Sequence, residues 1–548
     1  MTEADLTELE SLLSDRWERL TGGKLYKIKT ADGRGIIPFK PRDEQKELLR
    51  KLCDSLDKVR AHAKRIKDNN LNPEEVEPIE PAQEVEIKSR RLGYSTTIGV
   101  FVADCLAFCK DFTAQLIDQT ADDAAKKMNG IVKVAIDSVI EAGWPLKKIK
   151  DNDSELTLDL ELDGEMQKAP STFFASTKGR GGSVDFGWYS ELGVIQFEDE
   201  PRAEEIVTGA FPAARHGIKF VETTWKGGKG GKLWDLIEPT LNGIANDWKV
   251  HFTPWWVDPR NRSMTAEIDD RTRKYFADNA ARFLNAGVSI SIEQMRWYAA
   301  EWRTQGIFMK RENPSFLDEC WTAPIEGSVY AEEIERARTE GRVSLFPVDG
   351  NAFVNTSWDL GAPKNTVVWY WQAIGREIRI VDVDQGFEGT LVQRVAAMKA
   401  KGYALGTHFV PHDALQTSRS GSTFLSELSP LLPGVVTVPR CHTEWIGINH
   451  LLQMFNTLAF RSTPEVLTAL DTLACYHTRK SGNQAGELVH DWSSHTADAI
   501  RTMAEAHRAA LFKFNSTAAV ARPDWYDPDG KDRKRKGMKV RMVSGLRV

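Results

Sequence analysis

The sequence lacks the cysteine spacing of a zinc site and the long apolar run of a membrane span. Its six cysteines are scattered through 548 residues and none forms a C-x-x-C pair, so we expect neither a zinc ribbon nor a disulfide framework. The most apolar stretch, Thr97–Cys109, contains Asp104 and is too short to cross a bilayer. Residues 1–16 are polar and acidic, without the apolar core of a signal peptide. We therefore expect a soluble intracellular protein with no membrane contact.

The chain also lacks the net positive charge that many nucleic-acid-binding proteins carry. Lys and Arg number 72 against 78 Asp and Glu, which gives a formal net charge of -6. Any contact with DNA must therefore come from local basic patches. The composition is otherwise that of a globular protein, with 41% hydrophobic residues, and the length suggests about three to five domains.

The pattern of apolar residues predicts two α/β domains. Between residues 83 and 253, short apolar strands alternate with helices, which is typical of a mainly parallel sheet covered on both faces. Strands at 353–359, 365–372 and 377–384 follow one another directly, and helices and strands then alternate, as in a ribonuclease-H-like domain. We predict a helical lead-in over 1–34, the first domain over 35–257, a helical linker or lid over 258–350, the second domain over 351–512, and a basic tail over 513–548.

A basic loop with a glycine lies between a predicted strand and a predicted apolar helix, in the segment Lys88–Ser95. A phosphate-binding loop needs backbone N–H groups around the phosphates, a nearby cation, and a hydroxyl for Mg²⁺ at the helix start. Ser95 provides the hydroxyl, with Thr96 beside it, and Gly93 allows close backbone approach. Tyr94 occupies the usual lysine position, so the cation is predicted elsewhere: Lys88, supported by Arg90 and Arg91. The alternative is a strand-to-helix turn with solvated basic residues.

The segment Phe186–Glu191 is an apolar run that ends in an acid. A hydrolysing P-loop enzyme needs a carboxylate at the end of a nearby strand to orient water, and often another for Mg²⁺. Glu191 is the candidate general base, although an exposed glutamate after a strand is the simpler interpretation. Ser190 stands where an aspartate is usual, which predicts weaker Mg²⁺ binding.

Three further features of the first half suit nucleotide chemistry. Arg180 lies in a glycine-rich loop and could reach a γ-phosphate in its own subunit or a neighbour's; the alternative is an ordinary surface arginine. Glu222, Thr223 and Thr224 end the next strand, where an element that senses the nucleotide is expected. Gln45 is a candidate for recognising adenine, or else a polar residue on a helix surface.

Acids in the second half are placed as a two-metal nuclease requires. Such a nuclease needs several carboxylates around two Mg²⁺ or Mn²⁺ ions, which prefer oxygen ligands. Asp359 and Asp413 each end a predicted strand, and Asp491, His495 and Asp498 would share one helical face if the last helix included all three. Taken singly, the first two acids could be turn formers and Asp491 a helix cap. Their combination predicts a metal site.

Together these motifs resemble the large terminase subunit of tailed double-stranded DNA bacteriophages over roughly residues 35–510. The loop Lys88–Ser95 resembles the variant Walker A motif whose lysine has moved to its first position. The stretch 491–501 (DWSSHTADAIR) is similar to the family's last nuclease motif, and 255–256, 292–298 and 312–319 are similar to stretches between its domains. The resemblance implies a P-loop (ASCE-type) ATPase domain followed by a ribonuclease-H-like nuclease domain.

The resemblance also implies roles and partners. Lys88, Ser95 and Glu191 would serve ATP and Mg²⁺, with Arg180 as arginine finger. Asp359, Asp413 and Asp498 would hold the two nuclease metals. The chain would assemble as a ring, pentameric in the family, on the portal protein of the procapsid. A small terminase subunit would select the double-stranded DNA. The protein would act in the host cytoplasm and would be absent from the mature virion.

Two other interpretations remain open. The chain could be a metal-dependent nuclease or integrase-like enzyme whose first half is a degenerate, non-hydrolysing scaffold, which Tyr94 and Ser190 favour. It could also be a non-enzymatic DNA-binding or assembly protein, which the ordered acids argue against. The basic tail is expected to contact DNA or the portal.

Overall fold

The structure is a computed structural model that describes residues 12–30, 33–72, 76, 83–179, 182–322, 325, 327–417, 421–479 and 486–512. Arg180, the start of the helical lead-in and the basic tail lie outside the described residues. The chain divides into two compact units, residues 1–323 and residues 324–548. Among the described residues, no helix combines the length and the apolar character needed to span a membrane.

The first unit is built on a large, mainly parallel sheet. Its strand order is β11-β3-β10-β9-β4-β8-β6-β5, and every neighbouring pair from β11 to β8 is parallel. The strands of this unit are β1 Lys27–Lys29, β2 Ile36–Pro38, β3 Gln83–Lys88, β4 Thr113–Ile117, β5 Leu146–Asp151, β6 Glu155–Leu162, β7 Glu165–Met166, β8 Ser171–Ser176, β9 Phe186–Ser190, β10 Ile218–Thr223 and β11 Lys249–Thr253. This arrangement confirms the predicted α/β fold with a mainly parallel sheet.

Helices cover both faces of this sheet. The helices of the first unit are α1 Arg16–Thr21, α2 Asp43–Asp68, α3 Tyr94–Phe108, α4 Ala121–Lys127, α5 Lys133–Glu141, α6 Leu192–Glu198, α7 Glu200–Glu205, α8 Lys232–Leu241, α9 Asp270–Asp278, α10 Ala280–Asn285, α11 Ile292–Gln305, α12 Met309–Glu312 and α13 Glu319–Thr322. Helix α3 is apolar almost throughout and lies in the core, as expected for a helix packed on several sides. A second apolar cluster covers the other face.

The antiparallel strands β5 and β6 extend the sheet beyond β8. The sequence pattern did not predict them. Lys147, Lys148 and Lys150 leave most of β5 exposed or half-buried, so it has no clean alternation of apolar and polar residues. Edge strands commonly carry lysines because these discourage pairing with another chain.

The second unit is built on a mixed sheet of order β12-β18-β15-β14-β13-β16-β17. Strands β13, β14 and β15 form an antiparallel meander, and β16 runs parallel to β13. The strands are β12 Val343–Ser344, β13 Val354–Asp359, β14 Val367–Ile374, β15 Glu377–Asp384, β16 Leu405–Val410, β17 Val435–Thr437 and β18 Leu458–Arg461. The predicted ribonuclease-H-like order is confirmed.

Helices pack on both faces of this second sheet. They are α14 Ala331–Thr339, α15 Leu391–Ala400, α16 Phe424–Leu428, α17 Glu444–Met454, α18 Pro464–Ala474 and α19 Ser494–Arg508. The apolar side of α19, including Ala497, Ile500 and Met503, is buried in the larger core of the unit. This packing fixes the polar side of α19 relative to the ends of the strands.

The predicted linker over 258–350 does not form a segment of its own. An aromatic cluster that includes Trp255, Tyr275 and Tyr298 packs α9 and α11 into the first unit. Ile334 and Ala337 of α14 instead join the core of the second unit. The sequence did not predict that the boundary between the units precedes α14, because α14 is a charged helix with only a narrow apolar side.

Candidate nucleotide and metal sites

The loop between β3 and α3 turns sharply because two of its residues adopt left-handed backbone conformations. Arg91 has a φ of 62° and Gly93 a φ of 74°, and the second conformation suits glycine because it has no Cβ. Ser89 N–H donates to the Thr253 carbonyl at 2.9 Å, and Arg90 N–H donates to the Glu312 carbonyl at 3.1 Å. These two amides are therefore engaged within the protein.

Residues from the predicted linker hold this loop in place. The Arg90 side chain pairs with Glu312, and Ser89 Oγ donates to Asn313 Oδ1 at 3.0 Å. Arg260 Nη2 donates to the Arg91 carbonyl at 2.7 Å. Sequence reasoning did not predict these contacts, although it had marked 312–319 as a family-like stretch. The side chain of Arg90 therefore braces the loop, and that of Arg91 is exposed.

A buried ion cluster lies at the carboxyl ends of β3, β9 and β10. Lys88 Nζ is 3.3 Å from Glu191 Oε1 and 3.2 Å from Glu222 Oε1. Burial opposes the charge on Lys88, but the two acids outweigh it and raise the Lys88 pKa above its ordinary value. The cation therefore remains charged at the position that the sequence predicts.

Glu191 is held in a strained and precise position. Its φ of 55° is left-handed, which costs on the order of 1–3 kcal/mol and is characteristic of functional sites. Its Oε2 accepts hydrogen bonds from the backbone N–H and from Oγ1 of Thr224, both at 2.9 Å. The general-base candidate is thus tied directly to the end of β10, where the nucleotide-sensing element is predicted.

The hydroxyl of Ser95 also contacts this cluster, since its Oγ donates to Glu222 Oε1 at 2.9 Å. Ser190 Oγ donates to the other oxygen of the same carboxylate at 3.3 Å. Lys127 Nζ lies 2.5 Å from Ser190 Oγ and 2.6 Å from Asp118 Oδ2. Lys127 and Asp118 are site residues that sequence reasoning missed, because they come from another strand and from the helix that follows it.

Three other candidate residues serve mainly to build the site. Tyr94 is buried, and its hydroxyl contacts Thr253 Oγ1 at 3.0 Å. Thr223 Oγ1 accepts from Gly193 N–H at 3.0 Å and so supports the start of α6. Thr96 is half-buried in the first turn of α3. These placements favour a packing role for Tyr94.

Gln45 is engaged within the protein at both ends of its amide. Its Nε2 donates to the Leu92 carbonyl at 3.1 Å, and its Oε1 accepts from Arg42 N–H at 3.0 Å. The side chain is buried, so it is not a polar residue on a helix surface. Its amide braces the loop between β3 and α3 in this arrangement, and its role in recognising adenine stays a prediction.

In the second unit, the three predicted metal-ligating acids line one cavity of about 750 Å³. Asp359 ends β13, Asp413 lies in the turn after β16, and Asp498 lies on α19. Strands β13 and β16 are parallel neighbours, so their carboxyl ends lie at the same edge of the sheet. The structure thus places Asp359, Asp413 and Asp498 on the walls of one cavity.

Asp498 is a buried acid whose pKa is shifted. Burial raises the pKa of Asp498 to about 6, Arg501 opposes this shift, and the charge of Asp359 adds to it. Arg501 Nη2 lies 3.0 Å from Asp498 Oδ1. His495 Nδ1 lies 2.9 Å from Asp359 Oδ2, and this hydrogen bond raises the pKa of His495. His495 therefore positions Asp359 in the described arrangement.

Asp491 does not share the helical face that the spacing suggested. Helix α19 begins at Ser494, after Asp491. Asp491 Oδ1 accepts from the N–H and the Oγ of Ser493, at 2.8 and 2.5 Å. Its side chain stabilises the turn that leads into the helix, but the N-cap is Ser493, which has no side-chain cap hydrogen bond, so Asp491 is not the helix cap either.

The cavity has the chemistry of an open site for a hard cation. Within the described ranges, no three His, Cys, Asp or Glu side chains are grouped closely enough to hold a metal ion by themselves. Mg²⁺ commonly keeps several water molecules and takes only one or two carboxylates, so the acids present fit such an ion. Further charged residues line the cavity, namely Arg440, Glu444, Arg501 and Glu505.

Known structures of phage large terminases are similar to this chain. The large terminase of bacteriophage HK97 has 14% identity and a TM-score of 0.40, with 90% of this chain and 99% of that chain covered. A large terminase from a thermophilic bacteriophage, solved in complex with ADP, has 12% identity, a TM-score of 0.29, and coverage of 79% and 95%. The large terminase nuclease of thermophilic phage G20c, solved with bound magnesium, has 16% identity, a TM-score of 0.26, and coverage of 34% and 98%. No family model and no curated protein matches the chain.

Proposed function

We propose that this chain is the large subunit of a phage terminase, which moves double-stranded DNA into a procapsid by hydrolysing ATP and cuts concatemeric DNA. The observation that carries the proposal is the cluster formed by Lys88, Ser95, Glu191 and Thr224 at the carboxyl edge of a parallel sheet. A cation, a hydroxyl and a positioned carboxylate are the groups that phosphoryl transfer from ATP requires. The second unit adds an acidic cavity suited to phosphodiester cleavage.

In the motor half, each residue has a distinct role. Lys88 neutralises charge on the phosphates, and Ser95 provides the hydroxyl for Mg²⁺. Glu191 orients the attacking water, and its hydrogen bonds to Thr224 transmit the state of the nucleotide to the end of β10. Arg180 acts as the arginine finger, in its own subunit or in a neighbour's.

In the nuclease half, Asp359, Asp413 and Asp498 would hold the metal ions, two Mg²⁺ or Mn²⁺. Such ions would supply activation of water and stabilisation of the leaving oxygen. His495 orients Asp359, and Arg501 holds Asp498 on the cavity wall. Asp413 is the most exposed of the three acids, at 51% for its side chain, so it is the one most accessible to the DNA backbone.

The partners follow from this activity. The chain would assemble as a ring, pentameric as in the family, on the portal protein, and a small terminase subunit would select the DNA. It would act in the host cytoplasm, docked only transiently on the procapsid, and would not remain in the mature virion. The basic tail, residues 513–548, would contact the DNA or the portal, and deleting 522–548 should weaken one of these interactions.

ATP turnover tests the motor half. Wild type and Glu191→Gln are assayed with Mg²⁺ at high protein concentration, with and without DNA, because an arginine from a neighbour requires assembly. We expect turnover in the wild type and its loss in the variant, since the amide cannot accept a proton from water. If both proteins are equally inactive even on the portal, the first half is a scaffold and the nuclease is the main activity.

Nicking of supercoiled plasmid tests the nuclease half. We expect cutting by the wild type with Mg²⁺ or Mn²⁺, none in chelator, and none by Asp359→Asn. Glu191→Gln serves as the matched control, because it removes a carboxylate from the other unit and should leave cutting intact. Metal-independent cutting, or cutting by Asp359→Asn at the wild-type rate, would contradict the proposed site.

A further inference from the structure

The motor site has no aspartate at the strand position where P-loop enzymes usually carry one for Mg²⁺. Ser190 occupies that position at the end of β9 and is completely buried. A hydroxyl there supplies no negative charge. The charge that complements Mg²⁺ beside Ser95 must therefore come from another residue.

Glu222 lies where that charge is needed. It sits on β10, directly beside Ser190 in the parallel register. Its carboxylate is fully buried and accepts a hydrogen bond from Ser95 Oγ at 2.9 Å. Ser190 Oγ and Trp188 Nε1 both donate to its second oxygen at 3.3 Å. Glu222 thus makes the contact with the loop hydroxyl that an acid at position 190 would make.

The surrounding charges explain why a serine, and not a second acid, is favourable at position 190 when position 222 is a glutamate. Glu222 lies 3.2 Å from Lys88, and Lys127 bridges Ser190 and Asp118. Burial raises the pKa of Glu222, but Lys88 and Lys127 outweigh it and lower the value overall, so the carboxylate stays ionised. An aspartate at 190 would add a further anion between Glu222 and Asp118.

We propose that Glu222 is the positioning acid for the Mg²⁺ of the bound nucleotide, acting through the hydroxyl of Ser95 in the place of the missing aspartate. The proposal rests on the proposed ATPase function. The end of β10 would then have two roles: Glu222 positions Mg²⁺, and Thr224 senses the nucleotide. The proposal also predicts that an aspartate at position 190 can replace the carboxylate of Glu222.

The test is the effect of Mg²⁺ on ADP affinity, measured by calorimetric titration with MgCl₂ and again with EDTA. For each variant, the Kd for ADP in EDTA divided by the Kd in MgCl₂ gives the contribution of the metal to ADP affinity. In Glu222→Gln, we expect this ratio to fall about tenfold or more, the scale of a lost charge-assisted contact. In Glu222→Gln with Ser190→Asp, which restores the number of acids, the ratio should recover.

Glu86→Gln is the matched control. Glu86 is also fully buried and is the register partner of Glu222 on β3, but it contacts Lys51 and Thr253 instead of Ser95. It should keep the wild-type ratio. If the Gln variant of Glu222 unfolds, Glu222→Asp keeps a negative charge at this position of β10 but shortens the side chain that reaches Ser95, and the ratio should still fall.

Each outcome is decisive. A wild-type ratio in Glu222→Gln or in Glu222→Asp would overturn the role of Glu222 while leaving the ATPase proposal intact. An equal fall in Glu86→Gln would mean that any buried acid of this sheet has the effect, and would also overturn it. Absence of ADP binding by the wild type, with or without Mg²⁺, would instead refute the proposed function and this inference with it.

Discussion

Gly93 provides a test of the loop geometry on which the motor site depends. It has a φ of 74°, and a Cβ built at this position would lie 2.6 Å from Nε2 of Gln45. The same Nε2 donates to the Leu92 carbonyl. Replacing Gly93 by alanine should therefore strain the backbone and displace the side chain that braces the loop.

The crowding can be separated from the backbone strain with a matched control. Gly243 has a φ of 69°, close to that of Gly93, but no atom lies within 4 Å of its Cβ position. Both Gly→Ala changes carry the left-handed penalty of roughly 1–2 kcal/mol and the same unfolded-state effect. Gly93→Ala should additionally lose the Gln45 hydrogen bond, worth about 1 kcal/mol.

The assay is thermal unfolding followed by tryptophan fluorescence, with ADP titration in parallel. A difference of about 1 kcal/mol shifts Tm by about 2–4 °C in domains of about 150–250 residues and by less in larger ones. We therefore expect Gly93→Ala to unfold about 2 °C below Gly243→Ala. ADP affinity should fall in Gly93→Ala alone, because only that change moves the loop.

Equal unfolding temperatures for the two variants, together with equal ADP affinities, would refute this reasoning. Gln45 would then not be packed against Gly93, and the loop would have a different backbone course from the one described.

Three further predictions concern single residues. Tyr94→Phe should lower the free energy of unfolding by about 1 kcal/mol, because it loses the contact with Thr253. It should not change ADP affinity in a titration. A tenfold loss of ADP affinity would place the hydroxyl at the nucleotide. Burial lowers the pKa of His408 from 6.5 to about 4, so the unfolded chain binds a proton that the folded chain does not. The contribution of His408 to stability should then be full above about pH 6.5 and fall as the pH drops toward 4. In urea unfolding, His408→Gln should flatten the dependence of the unfolding free energy on pH. The same pH dependence in the variant and the wild type would contradict this prediction. Asp491→Ala should cost about 1 kcal/mol because it removes the acceptor for Ser493, yet it should keep plasmid nicking, whereas Asp498→Asn should abolish nicking. Loss of nicking in both variants would return Asp491 to the metal site.

Much of the fold followed from local patterns. The strand before Lys88, the apolar helix after Gly93 and the three-strand meander of the second unit are each marked by an alternating or continuous run of apolar residues, so their bounds were predicted to within a few residues. Strands β17 and β18 were missed because they are short, and β5 was missed because lysines interrupt its pattern.

The residues of the candidate sites that lie at the ends of strands could be predicted from the sequence. Asp359, Asp413 and Glu191 each follow an apolar run, and the carboxyl ends of parallel strands meet at one edge of a sheet. Lys127, Glu312 and Asn313 gave no such signal, because a charged residue on a helix or in a loop usually faces water. Only the packing of distant segments brings them to Ser190 and to the loop.

The sequence by itself determined which chemical groups are present and in what order along the chain: a basic loop, an acid after each of several strands, and a helix carrying Asp498. It could not determine which acid lies beside Ser95. The chain reaches β9 before β10, so Ser190 and Glu191 were predicted as the partners of the loop. The folded sheet places β10 between β3 and β9, because strand order follows from how apolar faces and crossover helices pack and not from chain order. That placement puts Glu222 against Ser95 and leaves Ser190 one strand further away.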